Sequence, residues 1–328
     1  MATTETSRVV SNSKFTDQEK ITVLVLMGGP GSEREVSLAS GREVMKALSG
    51  GPFKLVESDV DPQHLDSLPI DDNTLVFPAL HGPFGEGGEL QIYLELQRIR
   101  FVGSDAKSAA IAMNKYKTKQ ILRQQGLPTA PAEIFTKSQS ISDIESKVVG
   151  FVAHHGLSNV VKPNADGSSV GVNICTDEIS VRDAVRAELQ NHPAVLLEKY
   201  LSGVELTVGI LNETALPIIE IRPGKGFYDY YAKYESDETE YVFNVSLSEE
   251  KLLQIQTEAI KAFKALGCRD FGRVDFMTDA DENHYILEVN TIPGLTAHSL
   301  LPKAAAKAGI PMPQLCEQIV RLALKRPI

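Results

Sequence analysis

The 328-residue sequence has few cysteines, no long apolar run and no excess of basic charge. No apolar run reaches the roughly 18 residues of a membrane-spanning helix. With 33 basic and 43 acidic side chains the net charge is −10, which argues against a general binder of nucleic acid or anionic membranes. This net charge is compatible with a small anionic ligand, because a cleft can be locally basic in an acidic protein. The three cysteines lie too far apart for a disulfide framework or a metal site, so reduced thiols in a cytoplasmic protein are expected: Cys175, Cys268 and Cys316.

Several common sequence signals are also missing. Residues 1–20 are polar and lack the apolar centre of a signal peptide, so we expect them to form a disordered lead-in. The turn at residues 28–31 (GGPG) lacks the Gly-x-Gly-x-x-Gly spacing of a dinucleotide-binding fold. The Gly/Ser loop at residues 164–171 is not a Walker loop, because no Gly-Lys-Ser/Thr follows and no helix is expected there. Two frequent modes of nucleotide binding are thereby excluded.

The composition and the first hundred residues predict a globular α/β protein. Hydrophobic residues make up 42 % and charged residues 23 %, and the length exceeds what one core supports, so two or three domains are expected. The apolar run Ile21–Met27 predicts a strand buried on both faces, and strand and helix patterns then alternate over roughly 110 residues. In an open parallel sheet, ligand loops follow the carboxyl ends of strands. The loops at 28–33 and 81–88 lie at such ends, although a lone histidine such as His81 is more often structural than catalytic.

Glycine and proline mark the boundaries in the rest of the chain. A helix predicted from Asn114 to Gln125 ends at Gly126, and two prolines follow within five residues. The polar, tyrosine-rich stretch 222–243 has no clear periodicity, which is typical of a functional or disordered loop. A helix capped by Ser246 or Ser248 is expected next, followed by two strands and two terminal helices.

The two C-terminal strands carry the clearest chemical pattern. Alternation along a strand places Arg273 and Asp275 on one face, and likewise Glu288 and Asn290. If the strands are neighbours, two carboxylates, an amide oxygen and a guanidinium converge, and such oxygen ligands suit Mg²⁺ that bridges to phosphates. A buried ion pair of Arg273 with Asp275 or Glu288 is the equally open alternative.

The Gly/Ser loop after Lys162 is the second chemical candidate. Glycines and small hydroxyl side chains let backbone N–H groups approach a phosphate closely. Lys162 and Lys115 are suitable point charges for the same phosphate. A plain hairpin turn and two solvated surface lysines explain the same residues, and the loop alone does not decide between these interpretations.

Taken together, these motifs resemble the ATP-grasp superfamily and, within it, the D-alanine–D-alanine ligase family. The resemblance runs from about Ile21 to Ala323 in the family's order, and eight segments in register make coincidence improbable. The segments are GGPGSEREVSLASG, FPALHGPFGEGGELQ, VGSDAKSAAIAMNKYKTKQILRQQGLPT, VKPNADGSSVGV, LLEKYLSGVELTV, GFYDYYAKY, FGRVDF and LEVNTIPGLTAHSLLPKAA.

The resemblance implies a fold, a reaction and a setting. The fold is an α/β ATP-grasp ligase with an N-terminal open parallel α/β domain (21–114) followed by two α+β ATP-grasp lobes (115–200 and 201–328). The last lobe carries the metal site and a mobile loop at 222–243. The implied reaction phosphorylates one D-alanine with ATP and joins it to a second for peptidoglycan synthesis, with two Mg²⁺ ions or Mn²⁺ in their place. A cytoplasmic homodimer is implied as well.

Residue roles follow from the resemblance position by position. For the substrates, Glu33 and His81 match the first D-alanine subsite, whereas Ser299 and Leu300 match the pocket for the second carboxylate. The metal ligands match Asp275, Glu288 and Asn290, and the oxyanion site matches Arg273 with the backbone N–H of Gly294. The ATP site matches Lys115, Lys162, Ser168, Ser169, Glu198, Lys199, Leu201, Glu205 and Lys233. Tyr234, linked in the family to the Ser168 and Glu33 positions, accompanies D-alanine as second substrate.

The sequence departs from the family pattern at three places. The usual Met-Asp-Lys is Met113-Asn114-Lys115, Gly-Glu-Asp-Gly has Gly87 in place of the acid, and the first loop carries Pro30-Gly31. These changes bear on loop rigidity and rate more than on reaction type. The alternatives kept open are a ligase making D-Ala-D-Ser or D-Ala-D-lactate, and a catalytically weak ATP-grasp paralogue acting as a sensor.

Overall fold

A computed structural model describes residues 21–224 and 238–327 of the chain. In chain order its strands are β1 (Thr22–Met27), β2 (Lys54–Asp59), β3 (Thr74–Pro78), β4 (Arg100–Phe101), β5 (Ala132–Thr136), β6 (Asn159–Pro163), β7 (Asn173–Cys175), β8 (Ala194–Lys199), β9 (Glu205–Leu211), β10 (Thr214–Ala215), β11 (Ile219–Arg222), β12 (Glu240–Val242), β13 (Phe271–Thr278) and β14 (His284–Asn290).

The helices connect these strands and cover the sheets. They are α1 (Arg34–Leu48), α2 (Pro83–Glu86), α3 (Glu89–Leu96), α4 (Ala106–Met113), α5 (Lys115–Gln124), α6 (Ile141–His155), α7 (Glu178–Asn191), α8 (Glu249–Ala265), α9 (Leu300–Lys307) and α10 (Met312–Leu324), with a 3-10 helix at Pro62–Ser67. Among the described residues, no helix is long and apolar enough to cross a membrane.

The first sheet is parallel, with the strand order β2-β1-β3-β4. Every residue of β1 and β3 is buried, as the apolar run at the start of the sequence predicts. Val44 of α1 and Leu315 and Ile319 of α10 belong to the core on one side of this sheet. The last helix of the chain therefore packs against the first sheet, although nearly the whole sequence separates them.

The second sheet is antiparallel, with the order β5-β8-β6-β7, and α6 and α7 bury apolar side chains against it. Sequence analysis did not identify β5 or α6. The α6 segment contains two adjacent valines and Gly150, which weaken the helical signal, and its position depends on burying Phe151 and Val148. Its start is set locally, because the Ser140 hydroxyl accepts a hydrogen bond from the Asp143 N–H at 3.1 Å.

The third sheet is antiparallel and has the order β12-β11-β9-β13-β14, with β10 paired to β9. Ile255, Ala259 and Phe263 of α8 pack beneath it, and Ser248, one of the two predicted caps, accepts from the Lys251 N–H at 3.2 Å. The sequence predicts one strand over 216–221, whereas the structure has β10 and β11 on either side of residues 216–218. Residues 240–242 of the predicted loop pair with β11 as β12, and residues 225–237 lie outside the described part.

The strands β13 and β14 are neighbours, which is the condition for their polar side chains to converge on one face of the sheet. Arg273 lies opposite Asn290 and Asp275 opposite Glu288, so the four polar side chains point to the same side of the sheet. The register shifts after Asp275, because Asp275 pairs with Glu288 and Phe276 pairs with Ile286, which leaves Leu287 of β14 as the extra residue. The opposite side faces α8 and the apolar core.

Gly272 gives a test of this packing, because it lies beside the polar face on β13. A Cβ atom added there would lie 2.5 Å from Phe263 Cε2 and 2.9 Å from the Asn290 carbonyl oxygen. We expect Gly272→Ala to lower the free energy of unfolding by about 1–3 kcal/mol, since a close-packed core resists added volume. Urea unfolding followed by circular dichroism measures the change.

Gly150→Ala is the matched control, because Gly150 is exposed in α6 and a Cβ there would meet nothing within 4 Å. We expect this variant to raise the free energy of unfolding by about 0.5–1 kcal/mol through helix propensity. Equal effects of the two substitutions would contradict the packing described for Gly272.

Candidate active site

Two adjoining cavities open between the three sheets, and every described candidate residue lines at least one of them. The smaller, of about 170 Å³, lies between the second and third sheets, and the larger, of about 530 Å³, lies between the first and third. Candidate residues on the smaller cavity are Lys115, Lys162, Ser168, Ser169, Glu198, Lys199, Leu201, Glu205, Arg273, Asp275, Glu288 and Leu300. Those on the larger are Glu33, His81, Lys115, Ser168, Arg273, Glu288, Asn290, Gly294, Ser299 and Leu300.

The fold brings these residues together from strand ends and loops. Glu33 precedes α1 and His81 follows β3, both at the carboxyl edge of the first sheet. Glu198 lies near the end of β8, and the Gly/Ser loop joins β6 to β7. Lys115 starts α5, where its backbone N–H donates to the Asn164 carbonyl at 3.0 Å and so joins the helix to that loop. Lys233 and Tyr234 lie outside the described residues.

On the β13–β14 face, Arg273 and Asp275 form a bidentate ion pair. Arg273 Nε donates to Asp275 Oδ1 and Nη2 to Oδ2, each at 2.8 Å, and the Thr207 hydroxyl donates to Oδ1 at 2.6 Å. The ion pair that the sequence left open is therefore present. It leaves the face polar and charged, with Glu288 on the adjacent strand.

The oxygen ligands of this face fit a magnesium site that substrate oxygens complete. Within residues 21–224 and 238–327, no group of three or more His, Cys, Asp or Glu side chains could hold a metal ion. Asp275, Glu288 and Asn290 supply two carboxylates and one amide oxygen, and Mg²⁺ usually takes few protein ligands and keeps waters and phosphate oxygens. Asp275 Oδ2 accepts one of the three hydrogen bonds to this carboxylate, so an oxygen lone pair there is compatible with a metal.

Lys162 and the buried Glu198 line the smaller cavity, and the fully buried Lys119 lies behind Glu198, outside the cavity. Lys119 Nζ pairs with Glu198 Oε1, and Lys162 Nζ pairs with Glu198 Oε2. Burial acts to raise the pKa of Glu198, but the charges of Lys119 and Lys162 outweigh it and lower the pKa to about 2. Glu198 is therefore an ionised acceptor at neutral pH.

Lys115 lies where the two cavities meet. Its Nζ donates to the Asp166 carbonyl at 2.6 Å and lies 3.4 Å from Glu288 Oε2. One contact belongs to the Gly/Ser loop and the other to β14. A single ammonium group thus links the candidate phosphate loop to the candidate metal face.

The Gly/Ser loop also contacts Glu33, at the carboxyl edge of the first sheet. The Ser168 hydroxyl donates to Glu33 Oε1. Ser168 and Ser169 have φ angles of 51° and 58°, in the left-handed region that costs a non-glycine residue roughly 1–2 kcal/mol. Burial and the nearby charge of Glu86 raise the pKa of Glu33, and the bond from Ser168 opposes this effect. The charge of the Glu33 carboxylate is therefore only partly compensated by its surroundings.

His81 is held in a chain of polar contacts that reaches the third sheet. Its Nδ1 lies 3.2 Å from Glu86 Oε1 and its Nε2 lies 3.0 Å from Ser40 Oγ, which accepts from the Leu295 N–H at 3.3 Å. The contacts are all satisfied if His81 carries its proton on Nδ1 and Ser40 donates to Nε2. The chain fixes the ring at the edge of the larger cavity, next to the loop that contains Gly294.

The loop before α9 closes the larger cavity. The Ser299 hydroxyl accepts from the Thr296 N–H at 3.1 Å. A Cβ on Gly294 would lie 2.6 Å from Ser299 Oγ, so glycine is needed where these two candidate residues meet. Asn290 Oδ1 accepts from the Ile292 N–H at 2.9 Å, which holds the turn at the end of β14.

Sequence reasoning missed the residues that support the candidate ones. These are Ser37 and Ser40 of α1, Glu86, Lys119, Thr129 and Thr207. Glu86 is five residues from His81 in the quoted Gly-rich loop, and Lys119 is one helical turn after Lys115, so spacing was an available signal for both. The remaining hydroxyl residues contact partners distant in the sequence and have no local signal.

The chain is similar in sequence to D-alanine–D-alanine ligases over most of its length. Residues 121–321 match the family model described as the C-terminus of D-Ala D-Ala ligase. The chain is 40 % identical over 301 residues to a protein named D-alanine–D-alanine ligase from Dechloromonas aromatica (strain RCB), covering 92 % of this chain and 97 % of that one.

Solved structures show the same similarity in three dimensions. A crystal structure of D-alanine–D-alanine ligase from Bacillus anthracis has a TM-score of 0.81 at 35 % identity and covers 93 % of this chain and 98 % of its own. The structure of that ligase complexed with ATP has a TM-score of 0.81 at 34 % identity, covering 94 % and 98 %. The whole architecture of three sheets is therefore shared, rather than one lobe alone.

Glu33 provides a test of the electrostatics of the larger cavity. In the unfolded chain the Glu33 carboxyl group loses its proton near the ordinary pKa of 4.5. In the folded protein its pKa is raised, so the carboxyl group keeps the proton to higher pH. As the pH rises from 4.5 through the folded-state pKa, Glu33 therefore makes an increasingly unfavourable contribution to folding. The Glu33→Gln variant lacks this unfavourable contribution. We therefore expect its free energy of unfolding to increase relative to that of the original protein as the pH rises, as measured by urea unfolding at pH 5 and pH 8.

Glu35→Gln is the control, because Glu35 is exposed at the start of the same helix. Its effect on the free energy of unfolding is expected to stay within about 0.5 kcal/mol, as for most surface substitutions. A difference between Glu33→Gln and the original protein that stays constant or shrinks from pH 5 to pH 8 would show that the Glu33 charge is compensated.

Proposed function

The chain belongs to the D-alanine–D-alanine ligase family, and we propose that it joins two D-alanine molecules into D-alanyl-D-alanine at the expense of ATP. The observation that carries the proposal is the meeting of the two cavities at Lys115, Arg273 and Glu288. A charged cavity and a larger neighbour that share a lysine, an arginine and a glutamate suit phosphoryl transfer between a nucleotide and a small acid.

The chemistry needs two steps. A carboxylate oxygen of the first D-alanine attacks the γ-phosphorus of ATP, the bond to the bridging oxygen breaks, and ADP leaves. The ammonium group of the second D-alanine loses a proton to give the amine, which then attacks the carbonyl carbon of the acyl phosphate. Phosphate leaves and the nitrogen loses a second proton as the peptide bond forms. Phosphorylation is required because a free carboxylate is a poor electrophile.

We assign the smaller cavity to ATP. Lys115 and Lys162 supply positive charge for the phosphates, with the Ser168–Ser169 loop over the γ-phosphate. Lys199, Leu201 and Glu205 hold the adenosine end, together with Glu198. Lys233 belongs to this set through the resemblance alone.

We assign the larger cavity to the two amino acids. Glu33 would pair with the ammonium group of the first D-alanine, which would compensate the carboxylate that burial leaves poorly satisfied, and His81 lines the same subsite. Ser299 and Leu300 would bind the carboxylate of the second. Arg273 and the Gly294 N–H would stabilise the tetrahedral oxyanion, for which Arg273 must exchange part of its pairing with Asp275.

Magnesium ions bound by Asp275, Glu288 and Asn290 would neutralise the transferring phosphoryl group and draw charge from its oxygens, with Mn²⁺ as a substitute. The protein's own part is to hold these oxygens on adjacent strands and to place Lys115 beside Glu288. The Arg273–Asp275 pair keeps the carboxylate compensated before the substrates arrive.

The remaining features of the proposal concern setting and specificity. We propose that the enzyme works in the cytoplasm as a homodimer, supplies the dipeptide for peptidoglycan, and uses D-alanine rather than D-serine or D-lactate as second substrate because Tyr234 is present. Ile92 and Leu96 on α3, which are 52 % and 77 % exposed, offer an apolar surface for a second copy. Light scattering in solution tests the dimer.

A product assay tests the activity directly. Incubated with Mg-ATP and D-alanine, the protein is expected to release one phosphate per D-alanyl-D-alanine formed, as followed by mass spectrometry and phosphate detection. D-Serine and D-lactate supplied with D-alanine are expected to give little mixed product. ATP binding without any condensed product would contradict the ligase activity and favour a sensor, and a preference for D-serine or D-lactate would correct the second substrate.

Variants of the metal face test the assignment of Mg²⁺. Asp275→Asn and Glu288→Gln are each expected to lower kcat by about 100-fold or more at moderate Mg²⁺, because charge neutralisation by a metal is worth several kcal/mol. Asp281→Asn, in the exposed turn between β13 and β14, is the matched control and is expected to leave kcat unchanged. Near-normal rates in both site variants would refute the assignment.

A further inference from the structure

Lys119 is a fully buried lysine that the proposed mechanism does not use. It lies on α5 with 0 % of its surface exposed, and it lines neither cavity. Its Nζ pairs with Glu198 Oε1 and donates to the Thr129 hydroxyl at 2.8 Å. Lysine is rarely buried to this extent without a specific partner, so Glu198 is the reason for its position.

Glu198 in turn has a second cation, and that cation reaches the cavity. Lys162 pairs with Oε2 of the same carboxylate, and both Lys162 and Glu198 line the smaller cavity. One carboxylate therefore pairs with two ammonium groups, of which that of Lys119 is fully buried and that of Lys162 is partly exposed to the cavity. Burial lowers the pKa of Lys119, and the charge of Glu198 opposes this effect. Burial also acts to lower the pKa of Lys162, but the charges of Glu198, Glu288 and Glu205 outweigh it and raise the pKa. Within the trio, Lys162 is thus the cation beyond the one that Glu198 needs as a counter-ion.

The excess cation matters when a phosphate enters. To serve a phosphate, Lys162 has to give up some or all of its pairing with Glu198. If Glu198 had no other partner, this exchange would leave a buried carboxylate uncompensated, which is strongly unfavourable. Lys119 stays in place because it is enclosed, so Glu198 keeps a counter-ion while Lys162 turns to the ligand.

The hydrogen bonds around Lys119 hold its ammonium group beside Glu198. The Thr129 hydroxyl accepts from Lys119 Nζ and donates to the Ile286 carbonyl at 3.0 Å, which uses its donor and one acceptor position. Ile286 lies on β14, so the lysine is tied to the third sheet as well as to β8. Lys119 is therefore held from both walls of the cavity.

We propose that Lys119 is a positioning residue for ATP, the permanent counter-ion of Glu198 that frees Lys162 for the nucleotide phosphates. The inference rests on the proposed function, because it takes the smaller cavity as the ATP site. Lys119 itself does not touch the nucleotide and acts through Glu198 and Lys162.

A double-mutant cycle between Lys119 and Glu198 tests the proposal in the full-length protein. Lys119→Met removes the charge but keeps an unbranched side chain of similar length. We expect it to raise the Kd and KM for ATP about tenfold, which corresponds to about 1.4 kcal/mol, with kcat and the KM for D-alanine within about threefold. ATP binding is measured by calorimetry and turnover by phosphate release.

The second half of the cycle separates this role from a general effect on folding. In the Glu198→Gln background there is no carboxylate to compensate, so Lys119→Met is expected to change the Kd for ATP by less than about threefold. Lys117→Met is the matched control, because Lys117 is exposed on the same helix, and it is expected to leave both constants unchanged. Lys119→Gln, a neutral side chain that can still hydrogen-bond, serves as the second variant if Lys119→Met does not fold.

Three outcomes would overturn the inference. They are an unchanged Kd for ATP in a folded neutral variant at Lys119, an equal loss of affinity in the two Glu198 backgrounds, and a loss confined to kcat or to D-alanine. Failure of the proposed function appears elsewhere, as absence of dipeptide synthesis by the original protein. The ratio of ATP affinities and the dipeptide yield therefore report on the two proposals separately.

Discussion

The need to compensate buried charge governs the arrangement of this site. Taking an ion out of water costs several kcal/mol unless a partner and hydrogen bonds replace the solvent. Glu198 meets this need with Lys119 and Lys162, and Asp275 meets it with the bidentate contact from Arg273. The charged groups thus remain inside the protein in a fixed orientation, which is what the proposed exchange of one partner for a phosphate or a metal ion requires.

The tertiary arrangement of three sheets brings these charged groups to the two cavities. β13 lies between β9 and β14, which puts the polar face of the third sheet against both cavities. α10 packs on the first sheet and so ties the end of the chain to its beginning. The Leu295 N–H to Ser40 hydroxyl contact spans 255 positions of sequence, and it joins the loop of Gly294 to the Ser40–His81 contact. No single sheet contains a complete site.

Local patterns predicted most of the elements and part of the site, and the family resemblance supplied the other candidate residues that line the cavities. The apolar run of β1, the cap of α8 and the alternation in β13 and β14 depend on neighbours a few residues away, so sequence expresses them directly. β5 and α6 were missed because their stability comes from apolar burial against the second sheet. The contact between Ser40 and His81 was missed for a related reason. Serine residues occur in many local settings, and the partner of Ser40 is distant in the sequence.

Lys117 and Lys119 show what the sequence determines and what only the tertiary structure decides. The sequence by itself determined a helix beginning near Lys115, the types of residue on it, the shared faces of the later strands and the resemblance to a ligase family. It presents the two lysines as equivalent, two positions apart. Tertiary structure decided that Lys117 faces solvent and that Lys119 is enclosed against Glu198. The physical reason is that a helix has two sides, and only packing against β8 and β14 selects which side leaves water.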